Sequence, residues 1–167
     1  MTFHELNTLS PDELRTVLFS CCGSTEWVNR MMGFFPMEDL VELLEDAEEQ
    51  WYACSEADWR EAFSNHPKIG DSEALNPKFS AGLEWAANEQ RDVTMAGGEM
   101  LTALGEANKQ YEEKFGYIFI VSATGKSPET ILGLMQQRMQ HTPGEEIRVA
   151  MDEQNKITLL RLQKLIK

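Results

Sequence analysis

The sequence predicts an all-α fold: a single compact domain over residues 1–167, with about seven to eight helices and one short extended segment at 117–121. Three observations carry this. Apolar residues recur at i, i+3, i+4 and i+7 along most of the chain. Ser or Thr followed by Pro and then an acid marks several helix starts. Only Tyr117-Ile-Phe-Ile-Val121 reads as a β-prone run, and it is five residues long.

Taken in order, Ser10-Pro11-Asp12-Glu13 supplies a cap, a first-turn proline and a capping-box acid, and Leu14, Val17, Leu18, Cys21 and Cys22 form the stripe that Gly23 stops. Trp27, Val28, Met31 and Met32 make a short second helix before Gly33. After Pro36 the stripe is Leu40, Leu43, Leu44, Ala47 and Trp51, with Glu42, Glu45 and Glu49 on the wet side. Ser55-Glu56-Ala57-Asp58 caps a helix carrying Trp59, Ala62 and Phe63, which ends near Asn65 because His66 precedes a proline. Residues 66–77 form a loop, and helix returns near Phe79 with Leu83, Ala86, Ala87 and Gln90. Met100, Ala103, Leu104, Ala107, Tyr111 and Phe115 edge a long helix that Gly116 terminates. Ser127-Pro128-Glu129-Thr130 opens a helix holding Ile131, Leu134, Met135 and Met139. Thr142-Pro143-Gly144-Glu145 opens the last one.

Composition narrows the function classes. With 15 Lys and Arg against 28 Asp and Glu, the net charge of −13 disfavours nucleic acid and anionic lipid surfaces as partners. Three cysteines, two adjacent, make no disulfide framework and fit a reducing compartment. Metal-ligand spacings such as CxxC or HExxH are absent, so no metal is expected. No window approaches the roughly 18 apolar residues of a membrane span, and the first residues lack the basic-then-apolar order of a signal peptide. The expectation is a soluble, cytoplasmic protein.

Chemistry is sought where the helical pattern fails. His66 is of the side-chain type suited to proton transfer near neutrality, and Pro67 gives it a rigid mount; the bland alternative is a structural helix-end histidine. His4 and His141 read as solvent-facing. The 117–121 run has no strand to pair with, so its backbone groups need side chains, water or a ligand as partners. Glu89-Gln90 reads by itself as a polar helix terminus. Arg161 is crowded by Ile157, Leu160, Leu162, Leu165 and Ile166, so it either snorkels to water or pairs with an anion.

His66-Pro67-Lys68-Ile69-Gly70, Glu89-Gln90, Phe115-Gly116-Tyr117-Ile118-Phe119 and Lys156-Ile157-Thr158-Leu159-Leu160-Arg161-Leu162 occur in the order and approximate spacing of one family. Over nearly its whole length the chain resembles 2-oxo-4-hydroxy-4-carboxy-5-ureidoimidazoline (OHCU) decarboxylase, the last enzyme on the route from urate to allantoin. The resemblance implies an all-α, cofactor-free homodimer acting on a small molecule. It implies that His66 is the catalytic histidine and that Pro67 contacts the substrate. It further implies that Ala86, Ala87, Asn88, Glu89 and Gln90 correspond to a substrate-binding Ser-x-x-Glu-Gln motif. The resemblance also implies that Phe119, Ile120, Val121, Ser122 and Ala123 present main-chain groups to the substrate ring and that Arg161 faces the substrate. The motif serine is Ala86 here, so its hydroxyl contact is lost or supplied otherwise. Two other readings compete: an acidic all-α interaction module gripping partners through exposed methionines, and a His-dependent hydrolase with Glu89 orienting His66 and Ser64 or Ser80 as nucleophile.

Overall fold

A computed structural model describes residues 1–67 and 98–167, and the helix expected over 79–91 lies outside them. The described residues form α1 (Phe3–Thr8), α2 (Pro11–Cys21), α3 (Thr25–Met32), α4 (Leu40–Ala53), α5 (Glu56–Ser64), α6 (Gly98–Phe115), α7 (Pro128–Arg138) and α8 (Pro143–Leu165), with no strand among them. The all-α expectation holds. Two compact units result, one of residues 1–62 with 154–167 and one of residues 63–153.

In the first unit the caps sit where the sequence places them. Ser10 Oγ accepts the Glu13 N–H at 3.3 Å while the Glu13 carboxylate accepts the Ser10 N–H at 2.8 Å, closing a capping box. Those bonds from Ser10 hold the Glu13 carboxyl below its ordinary range. Thr2 and Glu5 build the same box at the head of α1. That helix is missing from the periodicity reading, because six residues are too few to show a stripe, although Thr2-x-x-Glu5 is its signature.

The third stripe becomes helical only at Leu40, four residues after Pro36. The Asn7 side chain explains the delay: its amide donates to the Met37 carbonyl at 2.8 Å and its oxygen accepts the Met37 N–H at 3.0 Å. Met37 is thus held out of the helix, and Asp39 caps α4 by accepting the Glu42 N–H at 3.0 Å. Leu6 of α1 is buried, and so are Leu14, Leu18, Trp27, Met31, Leu43, Ala47 and Trp51, each on the stripe face of its helix. Full burial of one large side chain contributes about 1.5–3 kcal/mol, so these residues dominate the unit's stability. The Trp27 indole, buried among them, donates to the Ala47 carbonyl at 3.0 Å.

In the second unit α6 packs on α7, and residues 117–123 connect them. Gly116, at φ +83°, ends α6 in the left-handed region that favours glycine, with its N–H donating to the Glu112 carbonyl at 2.8 Å. Ser127 caps α7 by accepting the Thr130 N–H at 3.1 Å.

Two outcomes are expected. Asn7→Ala should lower stability by about 1–2 kcal/mol in urea unfolding, because both backbone groups of a half-buried loop lose their partner; an unshifted midpoint would contradict the role given to Asn7. All three thiols are buried, with Cys22 pushed up to about 12 and Cys54 to about 11 mainly by burial. A thiol-specific chromogenic disulfide should therefore label them slowly in the native protein at neutral pH and quickly after unfolding.

Candidate active site

His66 is positioned by the end of α5. Ser55 and Asp58 close a box at its start, with the Ser55 N–H donating to the Asp58 carboxylate at 2.9 Å. Ala62 and Phe63 are buried at its far end. The His66 N–H donates to the Phe63 carbonyl at 3.1 Å, and Pro67, which has no N–H, turns the chain away. The His66 residue is 9% exposed, so it does not lie in bulk water, and Pro67 is buried beside it. The Phe63 ring packs on Tyr117, with centroids 5.2 Å apart, which joins the His66 turn to the start of the 117–123 run.

Every residue from Tyr117 to Ala123 is buried. The run is neither helix nor strand, so those of its backbone groups that are paired find partners one at a time. The Phe119 N–H donates to Asn108 Oδ1 at 3.1 Å, and the Ile120 carbonyl accepts from Arg138 Nη1 at 2.7 Å. The Ser122 and Ala123 carbonyls accept from the Lys126 ammonium at 2.6 Å and the Lys126 N–H at 3.0 Å. The N–H groups of Ile120, Val121, Ser122 and Ala123, and the carbonyls of Phe119 and Val121, make no hydrogen bond among the described residues. Side chains therefore satisfy part of the run, as the bland reading expects, and leave a consecutive set of main-chain donors uncommitted.

Arg138 belongs to a buried charge cluster. Its Nε and Nη2 both lie 2.6 Å from Glu146 Oε1, and Glu146 is fully buried. Tyr111 Oη donates to the same oxygen at 2.6 Å. His141 Nδ1 lies 2.8 Å from Glu146 Oε2, and since a carboxylate only accepts, Nδ1 carries the proton. His141 is thus half-buried against Glu146, a correction to its expected place in solvent. Burial pushes the Tyr111 hydroxyl well above its ordinary range, which keeps it a donor. The Arg138 guanidinium also lies 4.2 Å from the centroid of the Phe119 ring, which Tyr111 meets edge-on at 5.2 Å.

Asn108, Arg138 and Glu146 were not singled out from the sequence. The signal was present for two of them: Asn108 falls four residues after Leu104 and Arg138 three after Met135, so each is a polar residue on an apolar stripe. The same logic had picked out Arg161.

Arg161 lies in the other unit, on α8, and is buried. Its Nη1 approaches the Ser20 and Cys21 carbonyls at 3.4 Å each, so it does not snorkel to water. One turn earlier, Thr158 accepts from Gln154 Nε2 at 3.0 Å, and both are buried. Ala86, Ala87, Asn88, Glu89 and Gln90 lie outside the described residues, as does Ser80. Ser64 is exposed, unlike His66, which weakens a Ser64–His66 nucleophile pair. None of the described methionines is exposed, against a methionine-rich docking surface.

Comparison with known proteins agrees with this architecture. The sequence matches the OHCU decarboxylase family model over residues 7–163. It is 34% identical over 146 residues to the uric acid degradation bifunctional protein TTL of Arabidopsis thaliana, covering 87% of this chain and 45% of that protein. The chain therefore spans less than half the length of that relative. Against the 2-oxo-4-hydroxy-4-carboxy-5-ureidoimidazoline decarboxylase of Haloferax volcanii it is 24% identical, over 97% of this chain and 94% of the relative. A crystal structure of an OHCU decarboxylase in the presence of (S)-allantoin superposes with a TM-score of 0.76 and 32% identity, covering 88% of this chain and 94% of that one. The chain belongs to the OHCU decarboxylase family.

Proposed function

We propose that this chain decarboxylates 2-oxo-4-hydroxy-4-carboxy-5-ureidoimidazoline to (S)-allantoin without a cofactor. The observation that carries the reading is the buried His66, mounted between α5 and Pro67 on a turn packed against the 117–123 run, within a family match spanning residues 7–163. The chemistry suits these residues. The substrate carbon that loses CO2 also bears a hydroxyl and adjoins a ring C=N unit. As the C–C bond to the carboxylate breaks, its electron pair forms a C=C bond to the neighbouring ring carbon and the C=N pair passes to the ring nitrogen, which takes up a proton from water, so the substrate is its own electron sink. The hydroxyl then loses its proton as the product carbonyl forms, and the neighbouring ring carbon gains a proton on one face. The protein's task is orientation and proton transfer.

In this mechanism His66 contacts the hydroxyl and carboxylate region and takes the hydroxyl proton. Pro67 contacts the substrate and holds the imidazole's mount. The uncommitted main-chain groups of Phe119, Ile120, Val121, Ser122 and Ala123 meet the ring's polar edge. Glu89 and Gln90, with Ala87 and Asn88 beside them, hold the ureido and ring N–H groups, since a carboxylate accepts and an amide does both. Ala86 offers no hydroxyl there. Arg161, a planar donor fork, binds an anionic or carbonyl edge. The family resemblance supports assembly as a homodimer, the length and helical pattern support action as one domain, and the free thiols suit a reducing, cytoplasmic compartment.

Adding the purified chain to freshly generated urate-oxidation intermediate should produce optically active allantoin faster than the spontaneous reaction, followed by circular dichroism. His66→Asn should cut that acceleration by about 100-fold or more while leaving the helical far-ultraviolet signal intact; full activity would remove His66 from the mechanism. Arg161→Lys should lower kcat/KM about tenfold or more, because a point charge does not replace a fork. An unchanged kcat/KM would confine Arg161 to its contacts with the Ser20 and Cys21 carbonyls.

A further inference from the structure

We propose that Arg138, held by Glu146, is a positioning residue that fixes the Phe119–Ile120 main chain in its substrate-facing course. The proposal rests on the reading of residues 119–123 as a substrate-binding run. Three independent contacts converge on that pair of residues. Arg138 Nη1 holds the Ile120 carbonyl at 2.7 Å. The same guanidinium covers the Phe119 ring at 4.2 Å. Asn108 holds the Phe119 N–H at 3.1 Å from the opposite helix, α6. Glu146 in turn holds the guanidinium through a hydrogen bond from Nε at 2.6 Å, with Nη2 at ion-pair distance from the same oxygen, and is itself held by Tyr111 Oη at 2.6 Å and His141 Nδ1 at 2.8 Å.

A buried ion pair is a poor source of stability, since well-packed apolar side chains of similar volume often serve the fold as well or better. What the apolar replacement does not supply is a donor for the Ile120 carbonyl at a fixed angle. A lysine does not supply it either, because one ammonium lacks the planar fork that meets Glu146 and Ile120 together. The cluster occupies the Ile120 carbonyl and the Phe119 N–H and leaves the next four N–H groups uncommitted among the described residues, so the run's free donors inherit their direction from Arg138.

The test is Arg138→Met combined with Glu146→Gln, which removes both charges and keeps an acceptor for Tyr111; Arg138→Lys is a second variant that keeps the charge balance. Two readouts are taken. Residue-resolved hydrogen exchange should speed up at the Phe119 amide by about tenfold or more in both variants, with the interior amides of α6 unchanged. KM for the OHCU substrate should rise about tenfold while kcat stays within about threefold, the signature of lost binding and not of lost chemistry. Arg138→Lys should recover stability without recovering KM. Unchanged Phe119 exchange overturns the proposal, and so does an unchanged KM in a variant whose exchange has accelerated. A wild-type chain with no turnover of OHCU would overturn the proposed function instead, and the exchange comparison would still decide whether Arg138 holds the run.

Discussion

The structure depends on how one buried non-helical run divides its backbone polar groups between side-chain partners and uncommitted donors. Helices and sheets solve this internally, but residues 117–123 have no neighbouring strand among the described residues and lie in the interior. A buried N–H or carbonyl without a partner costs about 1–3 kcal/mol. Each such group offsets part of what the apolar side chains of Ile118, Phe119, Ile120 and Val121 contribute. The chain answers with polar side chains on apolar helix faces: Asn108 from α6, Arg138 from α7 and Lys126 from the turn beyond.

That solution creates a second requirement. A guanidinium drawn into the interior loses its hydration, a cost of several kcal/mol, unless an anion and further hydrogen bonds meet it. Glu146 provides the anion, and its two oxygens are shared by Arg138, Tyr111 and His141. A four-residue cluster thus stands behind the donor that meets the Ile120 carbonyl. The same unit carries His66, whose backbone N–H is bonded to the Phe63 carbonyl, so its turn and the run are joined by one aromatic group of Phe63, Tyr111, Phe115, Tyr117 and Phe119.

Much of this was legible in the residues. Ser10, Ser55, Ser127 and Thr142 each cap the helix the sequence places after them, because a cap is a local device that needs only three or four residues to be seen. His66-Pro67 and Gly116 end their helices for equally local reasons. The need of the 117–121 run for unusual partners was also visible, since a lone apolar run between helices has no ladder. The identity of those partners was not. Asn108 and Phe119 are eleven residues apart, Ile120 and Arg138 eighteen, and Tyr111 and Glu146 thirty-five. Periodicity carries no information about pairings at that range. The start of α4 shows the same limit: Pro36 is local and visible, whereas the grip of Asn7 on Met37, thirty residues away, sets where the helix begins.

The most direct measurement is a titration of 15N-labelled protein with (S)-allantoin, observed through its amide resonances. A row of main-chain donors uncommitted among the described residues and serving as the binding edge predicts that the largest saturable shifts fall on Ile120, Val121, Ser122 and Ala123. Saturable shifts that leave those four amides unmoved, or no response at all, would contradict it.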